Sequence, residues 1–205
     1  GVDSGAYKER AKIIAESQNT SSAARLEFWT GNSNAAIAEN MRVHGDGRIV
    51  APVGIQLGTA IGDSVDANLL NDYEEGAWTP VISDGTNNAT GYSHNHGRYV
   101  KIGGLVHVNG FIVLTNLGSV SGNIRMTGLP FANGNVHNNY GSMSFSRCAG
   151  LNIQDGASLN GYFIQNQSYL DIYQWNATAG TGVLQHDELT ADATLTFTGT
   201  YYAIV

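Results

Sequence analysis

His94 and His96 stand two positions apart, a spacing that puts both imidazoles on one face of a strand. Three copies of such a strand about an axis would offer six rings to a transition metal. The pair lies in Tyr92-Ser-His-Asn-His-Gly97, a turn-like stretch without a carboxylate or cysteine to complete a ligand set. A solvated loop is therefore expected there, metal binding is disfavoured, and no cofactor is expected. Gly62-Asp-Ser64 has the form of an esterase nucleophile block, but that chemistry needs an aspartate three residues before a histidine to activate the serine. The residues at that position before the six histidines are Met41, Gly91, Ser93, Gly104, Gly134 and Val183, and no Gly-x-Ser-x-Gly elbow occurs. Ser64 reads as a loop residue. Cys148, the single cysteine, sits in Phe145-Ser-Arg-Cys-Ala149 and reads as a small buried hydrophobe. Alone, it makes no intrachain disulfide and no cysteine-based zinc site.

Glycan hydrolysis would need two carboxylates about 5–10 Å apart across a groove. Asp155, Asp171, Asp187 and Glu188 are the candidates, and acids in turns are more often turn formers. Binding without cleavage has better material. In Ser168-Tyr-Leu-Asp-Ile-Tyr-Gln-Trp175, alternation puts Leu170 and Ile172 on one face and Tyr169, Asp171, Tyr173 and Trp175 on the other. Sugars stack their C–H faces on flat rings, and a nearby carboxylate fixes hydroxyl groups. Aromatic residues bury large areas, so packing of this face on a second sheet or a neighbouring subunit is the favoured expectation. The polar stretch 133–141, with His137, Asn138, Asn139 and Tyr140, has the composition of a recognition loop.

The elements that would carry these groups are strands. Residues 6–16 leave helix and strand both open, because their apolar positions hold no 3.6 period for three turns. Arg25-Leu-Glu-Phe-Trp-Thr30 alternates, and Met41 to His44 and Arg48 to Val50 flank Gly45-Asp-Gly47, a hairpin signature. Tyr99 to Ile102, Gly103-Gly104 and Leu105 to Leu114 form a second hairpin, whose nearly continuous apolar run predicts a strand covered on both faces. Ile124 and Met126 point opposite to Arg125. In the last strand Leu195, Phe197, Tyr201, Ala203 and Val205 alternate with Thr194, Thr196, Thr198 and Thr200. Trp78, Tyr99 and Phe131 read as core. Between Thr59 and Asn71 the composition shifts to Gly, Asp, Ala and Asn, giving a slender β segment over 1–67 and a globular part over 68–205. The expected fold is all-β, a shaft-like hairpin segment followed by a β-sandwich or jelly-roll-like domain.

The chain has 205 residues with 26 Gly, 3 Pro and 42% hydrophobic content, enough to bury a core. Only 13% of residues are charged, which suits a surface partly covered by neighbouring chains. A net charge of -7 repels phosphate backbones, so nucleic-acid binding is disfavoured. No apolar run approaches a membrane span and no signal peptide opens the chain, so membrane insertion is not expected. The opening Gly1-Val-Asp-Ser reads as a cut from a longer polypeptide.

Leu69-Leu-Asn-Asp-Tyr-Glu-Glu-Gly-Ala-Trp-Thr-Pro80 resembles a segment, roughly D-D/N-Y-E-E-G-x-W-T-P, of bacteriophage tail-fibre and virion structural proteins. Gly97-Arg-Tyr-Val-Lys-Ile-Gly103 is similar to that family's G-x-Y-x-K-I-G, and Arg125-Met-Thr-Gly-Leu-Pro-Phe131 to its R-I-x-G-L-P-F, in matching order. Leu26-Glu-Phe-Trp-Thr30 and Glu39-Asn-Met-Arg-Val-His-Gly-Asp-Gly-Arg48 are similar to a fibre segment with E-R-M-R-I, Asn40 replacing its arginine. The resemblance implies the distal part of a tail fibre, an intertwined homotrimer made in the bacterial cytoplasm and carried on the virion. Its C-terminal domain would contact a bacterial surface glycan or protein without catalysis. A glycan-cleaving tailspike-type enzyme and a purely architectural segment are the alternatives. Physically, a thin β segment buries too little alone, and three chains about an axis would cover its inward residues and edges.

Overall fold

A computed structural model describes residues 11–18, 23–31, 37–52, 55–56, 69–70, 72–135, 140–177 and 180–203. The chain divides into two compact units, Gly1–Asn71 and Asp72–Val205. In the first, β1 (Ala11–Gln18), β2 (Ala23–Thr30), β3 (Ala38–His44) and β4 (Ile49–Val50) form an antiparallel sheet in chain order. β5 (Ile55–Gln56) pairs with β6 (Leu69–Leu70). The helix-or-strand question at residues 6–16 resolves to strand from Ala11 onward, in register with β2 from Ala11↔Thr30 to Gln18↔Ala23. The β3–β4 hairpin turns at Gly45-Asp-Gly47 as its residues require, with Gly47 at φ 88°.

That sheet has two unlike faces. One carries charge: Arg25 pairs with Glu16 at 3.0 Å and Glu27 at 2.6 Å, Arg42 with Glu39 at 3.0 Å, and Lys12 lies 4.4 Å over the Trp29 ring. Trp29 Nε1 donates to Glu27 Oε2 at 2.8 Å. Glu27 is thereby 2% exposed, the one buried side chain among the described residues of this unit. The register puts Ile13, Phe28 and Met41 together on the other face, beside Ala15, Leu26, Val43 and Ile49.

The second unit holds β7 (Tyr73–Trp78), β8 (Val81–Ser83), β9 (Gly91–Ile102), β10 (Leu105–Asn116), β11 (Arg125–Thr127), β12 (Ser142–Leu151), β13 (Leu159–Phe163), β14 (Tyr169–Ala177), β15 (Gly180–Val183) and β16 (Leu189–Tyr202). All belong to one antiparallel sheet in the order β7-β9-β10-β16-β12-β13-β14-β11-β8, with β15 on β14. The sheet curls, so that Val106, Val108, Ile112, Leu195 and Phe197 from β10 and β16 share one core with Ile82, Met126, Leu170 and Ile172 from β8, β11 and β14. The all-β expectation holds, and the two layers of the expected sandwich are two halves of a single sheet.

β16 lies inside the sheet between β10 and β12, and from Ala193 its alternation is regular: Leu195, Phe197 and Tyr201 are buried while the intervening threonines face out. Tyr201 stacks on Phe163 with centroids 4.6 Å apart, donates its hydroxyl to Phe131 O at 3.0 Å and accepts Phe131 N–H at 3.3 Å. Gly97 and Gly110 face each other across β9 and β10. A Cβ on Gly97 would lie 2.2 Å from Trp78 Nε1, and one on Gly110 2.5 Å from the Phe197 ring. Two bare positions thus seat the edge-to-face Trp78–Phe197 pair, whose centroids are 5.9 Å apart.

The run from Leu105 to Leu114 departs from expectation. Val106, Val108, Ile112 and Leu114 are buried, but Leu105, His107 and Asn109 face out, so β10 is covered on one face within the chain. Its apolar density reflects the exposed Leu105 and half-buried Phe111 on the outer face rather than a second covering layer.

Candidate functional site

Outward positions of β13 and β14 build an aromatic cleft in the second unit. Asn160 and Tyr162 on β13 oppose Tyr173 and Asp171 on β14, while Leu159, Gly161 and Phe163 turn inward against Leu170 and Ile172. Asn160, Gly161, Tyr162, Tyr173 and Thr181 line an open cleft of about 420 Å³, within the range of small-ligand sites. The Tyr162 and Tyr173 rings meet nearly at right angles, 84° with centroids 6.2 Å apart, giving the cleft two flat walls. Tyr140 extends one wall, its ring 5.1 Å from that of Tyr162 and tilted by 30°. The Tyr162 phenol is pushed up, first by desolvation and then by the Tyr140 hydroxyl, so it remains a neutral donor at ordinary pH.

Asp171, Tyr169 and Arg125 form a cluster on the same face. Arg125, in register with Asp171, lies 3.6 Å from its carboxylate and 4.4 Å over the Tyr169 ring. Burial pushes the Asp171 carboxyl up, and the Arg125 charge opposes that rise. Arg125 is itself confined: a Cβ on Gly85 would lie 2.7 Å from its Nη1. Trp175 follows near the end of β14, 55% exposed.

Tyr169, Asp171, Tyr173 and Trp175 therefore share one face, as their alternation requires, but the favoured expectation of burial is not met within this chain. Tyr169, Asp171 and Tyr173 are half-buried, and Trp175 is open to solvent. The reason is topological: the curled sheet encloses its inner face only, and this face is the outer one. Tyr140 joins Tyr173 through Tyr162, a residue the sequence reading passed over together with Asn160 and Thr181. The alternation in Leu159-Asn-Gly-Tyr-Phe163 marks Asn160 and Tyr162 as one face, but only the pairing of β13 with β14 brings that face to Tyr173. His137, Asn138 and Asn139 lie outside the described residues, as does Ser64.

His94 and His96 lie on β9 and not in a loop. β10 is long enough to pair beyond Phe111, so the ladder runs in regular register from His96 to His94 and shifts only beyond Val113. The two rings lie 6.1 Å apart and pack against Phe111 at 5.7 and 6.1 Å. Among the described residues no group of three or more His, Cys, Asp or Glu side chains is placed to hold a metal ion. His96, Arg98, Asn109, Phe111 and Thr196 line a second, smaller depression of about 250 Å³.

The other candidates for chemistry lie on separate elements. Asp187 and Glu188 occupy a 3₁₀ turn at His186–Glu188, where Glu188 Oε2 accepts the Gln185 N–H at 2.8 Å. Asp155 is in an exposed turn. None of the three lines the aromatic cleft. Cys148 is half-buried, and burial pushes its thiol up, away from the reactive thiolate.

No protein-family model matches the chain, and no curated protein sequence matches it. Among solved structures, the chain is similar to the Dettilon tailspike protein (gp208), with a TM-score of 0.53 over 63% of this chain and 23% of that protein. At 15% identity the likeness is one of fold, and the matched part is less than a quarter of the tailspike's length.

Proposed function

We propose that this chain is a recognition module of a bacteriophage tail, a homotrimer on the virion that holds a bacterial surface glycan in the Tyr162–Tyr173 cleft without cleaving it. The cleft carries the reading. Two perpendicular tyrosine walls accept the C–H faces of a sugar ring, and the Asn160 amide and Thr181 hydroxyl on its rim suit the ring's hydroxyl groups. Likeness of fold to a tailspike supports the phage-tail setting, as does the resemblance of residues 69–80, 97–103 and 125–131 to fibre segments. Each cleft is shallow and binds weakly; three copies on one fibre, and several fibres on one particle, multiply the weak contacts into firm adsorption.

Catalysis is not part of the reading, because among the described residues Asp171 is the one acid on the cleft's face and it is engaged by Arg125. Titrating host polysaccharide into the protein by calorimetry should give saturable binding. Tyr173→Ala should weaken it about ten-fold or more, the loss expected of a central aromatic contact, with the melting temperature near that of the wild type. Equal affinity of wild type and variant would remove the cleft from the account. A fall in polysaccharide chain length during incubation would replace binding by cleavage.

A further inference from the structure

Considered as a lone chain, the N-terminal sheet is inside out. Its one buried described side chain is the carboxylate of Glu27, whereas Ile13 and Ile49 are 68% and 63% exposed and Leu26 36%. None of Ile13, Ala15, Leu26, Phe28, Met41, Val43 and Ile49, which share one face by register, is buried. The opposite face is already closed by the Arg25–Glu16 and Arg25–Glu27 pairs and by Lys12 over Trp29. Water is therefore left on the face that the hydrophobic effect most strongly dries.

We infer that this apolar face is where copies of the chain meet, and that the N-terminal sheet carries the assembly. The inference rests on the homotrimer proposed above and names its contact surface. Three observations favour a second copy as the occupant. The seven side chains include no charge, so identical faces meet without repulsion although each chain carries -7. β1 to β3, seven or eight residues long and about 4.8 Å apart, with the two-residue β4 span about 400 Å² per face, so three copies meeting about an axis bring together about 1,200 Å², above the lower bound of a specific interface. The Asp72–Val205 unit encloses its own core and has no comparable need for a lid.

Among the described residues, the C-terminal unit offers a competing surface. Tyr73, Ile102, Leu105 and Tyr202 are exposed and follow one another across β7, β9, β10 and β16. That row is one residue deep, bordered in the next register by Glu75, Val100, His107 and Thr200, and all its strands already close a core on their other face.

The test uses the full chain at micromolar concentration, with mass by sedimentation equilibrium. The wild type should be a homo-oligomer. Leu26→Asp, which sets a charge in the middle of the face, should weaken self-association at least about a hundred-fold, while the melting transition of the C-terminal unit and glycan affinity per cleft stay unchanged. Lys12→Ser, on the charged face, should leave the mass unchanged and shows that the sheet itself tolerates substitution. Leu26→Ala, which keeps the strand uncharged, should give an intermediate shift. A monomeric wild type, or a Leu26→Asp chain of wild-type mass, overturns the proposal. Dissociation by Tyr202→Asp but not by Leu26→Asp overturns it too and moves the contact to the C-terminal row. Loss of glycan binding by Tyr173→Ala in a chain of unchanged mass concerns the cleft alone.

Discussion

The two units apply the same period-two alternation to opposite ends. In β16 alternate positions from Ala193 onward disappear into a core, and Leu195, Phe197 and Tyr201 are essentially inaccessible. In β1 to β4 a looser alternation leaves Ile13, Leu26 and Ile49 in water. Sheet size explains the difference. Ten twisted strands curl far enough to place β10 and β16 opposite β11 and β14, so the second unit covers its own apolar face. Four strands cannot close on themselves and need another layer. Alternation states which face is apolar; it does not state what covers it.

The sharpest way to break that contrast is to delete a large side chain from each face. Phe163→Ala removes a fully buried ring stacked on Tyr201 and should cost about 3–5 kcal/mol, read as a large fall in the denaturant midpoint of the C-terminal unit. Ile13→Ala removes a comparable apolar group from an open face, and in dilute, dissociated protein should change stability by less than about 0.5 kcal/mol. In concentrated protein its cost should rise as the face becomes covered. An equal cost at both concentrations would mean that assembly leaves this face open.

Gly97→Ala comes next. The added methyl would meet the Trp78 indole at 2.2 Å and the Asn109 carbonyl oxygen at 2.6 Å, one of them backbone, so strain of about 1–3 kcal/mol is expected. Near-UV circular dichroism should report displacement of Trp78 from Phe197. Gly47→Ala provides the partner measurement in the N-terminal hairpin. Nothing lies within 4 Å of its Cβ, so any loss there reflects its positive φ alone and should be about 1 kcal/mol.

How much of this was legible depended on whether the information was local. The inner faces of β14 and β16, the Gly103-Gly104 hairpin and the Gly45-Asp-Gly47 turn follow from alternation and turn chemistry within a few residues. Of the three residues read as core, Trp78 is buried, while Tyr99 and Phe131 are half-buried against the core. Strand order is not local. Nothing in Tyr169 to Trp175 states that β13 lies on one side and β11 on the other, so Tyr162 and Arg125 stayed invisible as partners of Tyr173 and Asp171. The stretch around His94 failed for a related reason: Ser, Asn, His and Gly favour turns, but pairing with a twelve-residue β10 outweighs that preference. The apolar run in β10 resembled a strand covered twice because density alone cannot separate a covered face from an exposed one.

The smallest effect expected concerns two aspartates whose carboxyls are both held below their ordinary value of 3.8. Asp46 is lowered first by the Arg48 backbone N–H, inside the N-terminal hairpin, with the Arg48 side chain adding to it. Asp84 accepts the N–H groups of Asn87 at 2.6 Å, Thr86 at 2.7 Å and, from a loop 37 residues away, Ser121 at 2.8 Å. A carboxyl whose folded value lies below its unfolded value contributes stability that is fully present above the unfolded value and is lost as pH falls through the folded one. Acid should therefore erode wild-type stability faster than that of Asp84→Asn, so their melting temperatures converge between about pH 5 and about pH 2. Asp46→Asn should show a weaker convergence, because one backbone donor within its own turn holds it instead of three donors from two loops. If both variants flatten the acid limb equally, the Ser121 link contributes nothing beyond a local turn, and the second unit gains no acid sensitivity from its long-range closure.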